Sequence, residues 1–194
     1  MPSNIFRIGL GTAQFGIDYG ISNTIGRVPK ARIIEILDSA LVAGIPVLDT
    51  ASSYGNSEVL IGNIIASEQP FRIITKTPVL AGQTVVKEDV QIITDSFTRS
   101  LERLKRTSLS GLLVHHGKNL MLSGGHYLVE ALKELKQTGL VEKIGVSVYS
   151  GAEIDQVLTM FTPDIVQLPY NVVDLKLKQS GHLTKLKNLG IEIH

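Results

Sequence analysis

The sequence contains no cysteine and no tryptophan, and aromatic residues make up 5% of it. Without cysteine there are no disulfides, no thiolate nucleophile and no Cys-ligated zinc or iron–sulfur site. That fits a reducing cytoplasm, the compartment expected for this chain, and metal would have to bind through His and carboxylates. The scarcity of aromatics, with no Trp, argues against a strongly aromatic pocket for large hydrophobic ligands. There is no bias of charge: 19 basic residues face 18 acidic ones, a net of +1, and the positives are scattered. No broad attraction to nucleic acid or to an anionic membrane surface is therefore expected. Nor is there a run approaching the roughly 18 apolar residues of a membrane span, and the N-terminus MPSNIFRIGLGTAQFG has no signal-peptide pattern.

What is present is 194 residues, 43% of them hydrophobic, which suits one globular domain over 1–194. Short apolar runs alternate with amphipathic segments along its length. A strand over Ile5 to Gly11 precedes a helix from Pro29 to Gly44, where Ile33, Ile36, Leu37, Ala40 and Leu41 recur at helical spacing. The unit then repeats. Strands are predicted at Ile45 to Leu48, Arg72 to Thr75, Leu112 to His115, Lys143 to Ser147 and Asp164 to Leu168. Helices are predicted over Ser57 to Ala66, Lys87 to Lys105, Tyr127 to Thr138, Ala152 to Met160 and Lys176 to Leu189. The closing IEIH reads as the start of a seventh strand. This alternation implies a parallel sheet covered by helices, and periodicity alone allows either an open doubly wound sheet or a closed (β/α)8 barrel.

The placement of polar groups favours the barrel. Asp49, Lys76, His115, Ser147 and Gln167 fall at or just beyond the C-terminal ends of successive strands, which in a barrel converge on one face. Taken singly, such an Asp is also a cap or turn former, such a Lys a solvated surface group, and a Tyr near glycine a packing residue. Their coincidence at equivalent positions points to a site. His115 and His116 are adjacent, so from a continuing strand only one enters it, with His115 the candidate. The glycine-rich start GLGTAQFG is not a dinucleotide fingerprint, because Gln14 occupies the third glycine position and no acidic residue ends a second strand about 20 residues on.

The segments GLGTAQFG, LDTASSYGNSE, ITKT, LLVHH, IGVSVYS and IVQLPYN, in this order over essentially the whole chain, resemble those of the aldo-keto reductases. LDTASSYGNSE is the most specific of them. The resemblance implies a TIM barrel that binds NADP(H), or alternatively NAD(H), and reduces a small aldehyde or ketone. It implies that Asp49, Tyr54, Lys76 and His115 form the catalytic tetrad. Ser147 and Gln167 would hold the nicotinamide carboxamide, and Gly11, Thr12, Ala13 and Gln14 would meet the cofactor from the first loop. Val148 stands where many members carry Asn, which removes one side-chain hydrogen bond to the cofactor. The early YGISN and the IVQLPYNVVD run point towards sugar-type carbonyls. No metal is called for.

The residue types suit that chemistry. Hydride arriving at a carbonyl carbon leaves negative charge on oxygen, which needs a proton donor, and Tyr54 fits if its reference pKa near 10 is lowered. An ammonium about 4 Å away favours phenolate by roughly 4 kcal/mol at an effective dielectric near 20, about three pK units. Lys76 is expected to act in this way, oriented and kept charged by Asp49, a pairing that partly offsets its pull on Tyr54, while His115 donates a hydrogen bond to the carbonyl oxygen. Two other readings are a metal-dependent barrel hydrolase using His115, His116, His194, Lys76 and Asp49, and a reductase-like scaffold without turnover. A complete barrel typically needs about 250 residues. The barrel is thus expected to be incomplete, ending near the seventh strand, with unpaired strand edges open to self-association.

Overall fold

The computed structural model describes residues 8–65 and 69–194. They form a seven-stranded, wholly parallel sheet in sequential order: β1 (Gly9–Gly11), β2 (Val47–Asp49), β3 (Arg72–Lys76), β4 (Leu109–Val114), β5 (Val141–Ser147), β6 (Ile165–Gln167) and β7 (Glu192–Ile193). The sheet curls as an incomplete (β/α)8 barrel, and β1 and β7 each pair with one neighbour.

Helices wrap the outside: α1 (Ala13–Gly16), α2 (Lys30–Val42), α3 (Ser57–Ile64), α4 (Lys87–Leu104), α5 (Lys118–Met121), α6 (His126–Gln137), α7 (Gly151–Met160), α8 (Lys176–Gln179) and α9 (His182–Asn188). In α2, Ile33, Leu37 and Ala40 are buried, the i, i+4, i+7 stripe of a helix lying on a sheet.

Because strand side chains alternate, the sheet sorts its residues into two cores. Leu48, Ile73, Leu112, Val114, Ile144, Val146 and Val166 pack outward with the helices. Inward, Val47, Ile74, Leu113 and Ile165 make a separate apolar layer inside the barrel. Gly111 belongs to the interior row of β4, where an added Cβ would meet Ile74 and Ile165 at 3.1–3.2 Å, so its missing side chain makes room for them.

Two residues further along each strand from that layer come Asp49, Lys76, His115 and Gln167. Two residues back from Ile74 is Arg72, which forms a lower ionic cluster with Glu192, Lys143 and His194. There Lys143 and His194 pair with Glu192, and Arg72 Nη2 lies 3.5 Å from Glu192 Oε1.

Several expected boundaries shift. The expected first strand is observed over Gly9–Gly11, and Ile5 to Arg7 lie outside the described residues, as does Ala66 at the end of the predicted third helix. Strand β4 begins at Leu109, three residues before the apolar run LLV suggests, because Leu109 pairs with Val141. The single helix expected from Lys176 to Leu189 is two, broken at Gly181, whose φ of 79° no α-helix contains. Helices α1 and α5, each four residues, were not anticipated from the sequence.

Candidate active site

The turn from β2 into α3 carries Asp49 and Tyr54 and is held from three directions. Thr12 N and Oγ1 both donate to the Asp49 carbonyl oxygen at 2.9 Å, tying β1 to β2. Ser57 Oγ donates to the Thr12 carbonyl oxygen (3.0 Å) and accepts from Thr50 Oγ1 (3.2 Å). Ser52 Oγ donates to the Lys76 carbonyl oxygen (3.1 Å), binding the turn to β3. Glycine is required at its tip: Gly55 has φ 55°, and a Cβ there would stand 2.4 Å from the Gly16 carbonyl oxygen.

Lys76 is 2% exposed, and its ammonium is shared among three neighbours. Nζ donates to Asp49 Oδ1 and Oδ2 at 2.8 and 2.9 Å, to the Thr50 carbonyl oxygen at 3.0 Å, and reaches Tyr54 Oη at 3.5 Å. It also lies 5.1 Å from the centre of the Tyr54 ring. Burial pulls the Lys76 ammonium below its ordinary value, against the Asp49 carboxylate, which holds it up.

His115 follows β4 directly. Its backbone N donates to Thr77 Oγ1 (3.2 Å), and its ring meets the Tyr54 ring edge-on at 5.8 Å between centroids. Burial first, then the positive charge of Lys76, lowers the imidazole to about 4, so at neutral pH the ring is uncharged. His116 is exposed, as strand alternation requires.

The electrostatics of Tyr54 run opposite to the expectation from a bare lysine. The phenol is pushed up to about 12, by burial first and then by the Asp49 carboxylate and the nearby Tyr19 and Tyr149 phenols. The bidentate Asp49 cancels much of the Lys76 field before it reaches Oη. In the ligand-free site Tyr54 is therefore a fully protonated phenol at neutral pH.

A cavity of about 300 Å³ opens above this group, lined by Gly11, Thr12, Ala13, Asp49, Tyr54, Lys76, His115, Ser147 and Gln167, together with Tyr19, Val148, Tyr149, Leu168 and Pro169. Nine of the ten expected site residues thus share one cavity. Gln14 does not line it; its Nε2 donates to the Tyr19 carbonyl oxygen (2.8 Å) and steadies the loop that brings Tyr19 in. Ser147 and Gln167 are paired neighbours across β5 and β6. Neither side chain is hydrogen-bonded to another described residue, so a hydroxyl and an amide stand ready for a ligand with its own donor and acceptor, as a carboxamide has. An added Cβ at Gly11 would meet nothing within 4 Å, leaving a flat approach to the backbone. These features fit a nicotinamide. Val148 turns into the outer core, and its backbone N donates to the Gln167 carbonyl oxygen (2.9 Å).

Sequence reasoning missed Tyr19 and Tyr149. For Tyr149 the signal was there: it lies two residues beyond Ser147 and keeps the interior parity. It is also fixed by the start of α7, where Glu153 Oε2 accepts from its backbone N (2.9 Å) and Ser150 Oγ accepts from Glu153 N (3.3 Å). A second cavity of about 550 Å³ lies between β1 and β7, whose outer edges have no strand partner among the described residues, and is lined by Asp49, Arg72, Gln167, Glu192 and His194 among others. Among the described residues no group of three or more His, Asp or Glu side chains is arranged to hold a metal ion, and no helix is long and apolar enough to cross a membrane.

Residues 7–194 match the Aldo/keto reductase family. The chain is similar to aldo-keto reductase YhdN of Bacillus subtilis, 29% identical over 182 residues, covering 90% of this chain and 53% of the relative. An aldo-keto reductase of Mycolicibacterium vanbaalenii is 32% identical over 149 residues, covering 74% of this chain and 51% of that protein. The chain spans about half the length of the curated relatives it matches. Its fold resembles a putative aldo-keto reductase of Pseudomonas aeruginosa, with TM-score 0.77 and 22% identity over 95% of this chain and 70% of that one. It also resembles an aldo/keto reductase of Klebsiella pneumoniae solved with NADP and acetate, with TM-score 0.72 and 18% identity over 95% and 61% of the two chains.

Proposed function

The chain belongs to the Aldo/keto reductase family, and from that premise we propose that it is an NAD(P)H-dependent oxidoreductase that reduces a small aldehyde or ketone to an alcohol. The observation that carries the reading is Lys76 Nζ held between the Asp49 carboxylate and Tyr54 Oη, beside an uncharged His115, on the wall of one cavity. Gly11, Thr12, Ala13, Ser147 and Gln167 would hold the nicotinamide, which supplies hydride to the carbonyl carbon. NADP(H) is the cofactor proposed, with NAD(H) the alternative. Tyr54 gives its proton to the carbonyl oxygen as charge develops there. The phenolate left behind sits 3.5 Å from Lys76 Nζ, an attraction of up to about 5 kcal/mol at an effective dielectric near 20, partly offset by Asp49. His115, neutral, donates a hydrogen bond to the same oxygen without competing for the proton.

The phenols of Tyr19, Tyr54 and Tyr149 around the cavity favour a polar, sugar-type carbonyl over a large apolar one. A cytoplasmic setting belongs to the same reading, as does self-association through the outer edges of β1 and β7, which have no strand partner among the described residues. The test is binding of NADPH and NADH followed by fluorescence, then turnover against a panel of carbonyls, with wild type beside Tyr54→Phe. The variant is expected to keep its cofactor affinity and lose about 100-fold or more in turnover, the range for a missing general acid. Near-normal turnover in Tyr54→Phe would refute the assignment.

A further inference from the structure

The residue next to the proposed acid has no part in the scheme above. Ser53 is exposed, and its neighbours are pinned on both sides: Ser52 by its bond to Lys76, and Tyr54 by its backbone N donating to the Ala51 carbonyl oxygen at 3.0 Å. Ser53 Oγ lies 3.3 Å from His115 Nδ1. We propose that Ser53 is a positioning residue that selects the tautomer of His115, donating its hydroxyl proton to Nδ1 so that the ring's N–H is carried on Nε2.

A neutral imidazole has one N–H and one lone pair, and the nitrogen that is engaged as an acceptor decides where the proton sits. Burial and Lys76 keep this ring neutral at pH 7, so the question of tautomer is a real one here. Among the described residues Nε2 has no hydrogen-bond partner, while His115 lines the cavity. A carbonyl oxygen in that cavity is an acceptor only. Only the Nε2–H form can donate to it, and that form leaves Nδ1 with a lone pair needing a donor. The Ser53 hydroxyl is the donor in reach. It has no other hydrogen-bond partner among the described residues, so it turns freely to meet Nδ1. An aliphatic residue at 53 would leave the two tautomers to compete.

The catalytic consequence rests on the reductase reading, but the tautomer does not, and NMR of the ligand-free chain separates the two. With histidine labelled by ¹⁵N, long-range ¹H–¹⁵N correlation at pH 7 distinguishes protonated from unprotonated ring nitrogens, and His115→Asn identifies which of the five histidines is His115. Wild type is expected to show a protonated Nε2 and an unprotonated Nδ1. In Ser53→Ala the ratio of the Nε2–H to the Nδ1–H form should fall by about fivefold, the equivalent of about 1 kcal/mol for one neutral hydrogen bond. Ser53→Thr, which keeps the hydroxyl, should restore the wild-type pattern. A wild type dominated by the Nδ1–H form, or identical His115 patterns in wild type and Ser53→Ala, would overturn the proposal. If the shift appears but wild type turns over no carbonyl, the tautomer assignment stands and the reductase reading falls.

Discussion

Replacing Asp49 by Asn keeps the shape of the side chain and removes the charge that balances Lys76. The ammonium is then left 2% exposed with the Thr50 carbonyl oxygen, one amide oxygen and the more distant Tyr54 Oη as acceptors, all of them neutral. The lost charge-assisted hydrogen bond sets a lower bound of about 2 kcal/mol. The upper bound comes from titration. A buried lysine can always escape by giving up its proton, and at pH 7 that costs no more than about 5 kcal/mol from an ordinary value near 10.4. Asp49→Asn should therefore lose about 2–5 kcal/mol, lowering the urea midpoint by about 1 M or more if the urea slope is about 2 kcal/mol per M.

The dependence on pH identifies the cause. Folded Lys76 in the variant releases its proton at lower pH than in the unfolded chain. Between those points the unfolded state binds more protons, and stability rises with pH. Wild-type Lys76, held up by Asp49, enters that window later. The deficit should thus shrink towards about 1 kcal/mol at pH 9.5, with a slope of at most about 1.4 kcal/mol per pH unit. Urea unfolding followed by circular dichroism between pH 6.5 and 9.5 measures it, and the double variant Asp49→Asn/Lys76→Met, with no buried ammonium, should lack the slope. A deficit that is the same at both ends of the range would refute the reasoning.

Two further outcomes follow from other parts of the barrel. Burial alone would raise the Glu192 carboxyl, but hydrogen bonds from Lys143 and His194 hold it at about 2, so its contribution is complete above the unfolded value near 4.5 and lost as pH falls towards 2. Wild type should lose more stability than Glu192→Gln between pH 5 and 2.5, and parallel acid-unfolding curves would count against the cluster. In Gly16→Ala the new Cβ would fall 1.7 Å from the Tyr54 carbonyl oxygen and 2.7 Å from Ser57 N, backbone atoms that have nowhere to go. A cost of about 1–3 kcal/mol or more is expected by thermal or urea melting, and a change under about 0.5 kcal/mol would mean the contact is not as close as described.

The strand order and the shared face were readable because a parallel barrel writes both into local sequence. Each buried strand is a short apolar run, and a polar residue two positions past an interior Val, Ile or Leu must land on the same side of the sheet. That rule brings Asp49, Lys76, His115 and Gln167 together. What depends on backbone angle or on three-dimensional neighbours stayed hidden. The Leu and Lys spacing from Lys176 to Leu189 continues straight through Gly181, and only its positive φ breaks the helix. Lys76 was expected to draw the Tyr54 phenol down. The Asp49 offset was legible, but the burial of the phenol was not, and burial first, with Asp49 holding two of the lysine's contacts, turns the sign.

The space between β1 and β7 bears on the strength of everything above it. Asp49 lines both cavities, and its side chain is 20% exposed although its partner Lys76 is sealed. Solvent reaching the carboxylate contributes to the local dielectric of the pair, and the flank is one of its two ways in. Whatever occupies that slot would act as an insulator: drying Asp49 would strengthen its grip on Lys76 and change the field felt at Tyr54, without touching either residue.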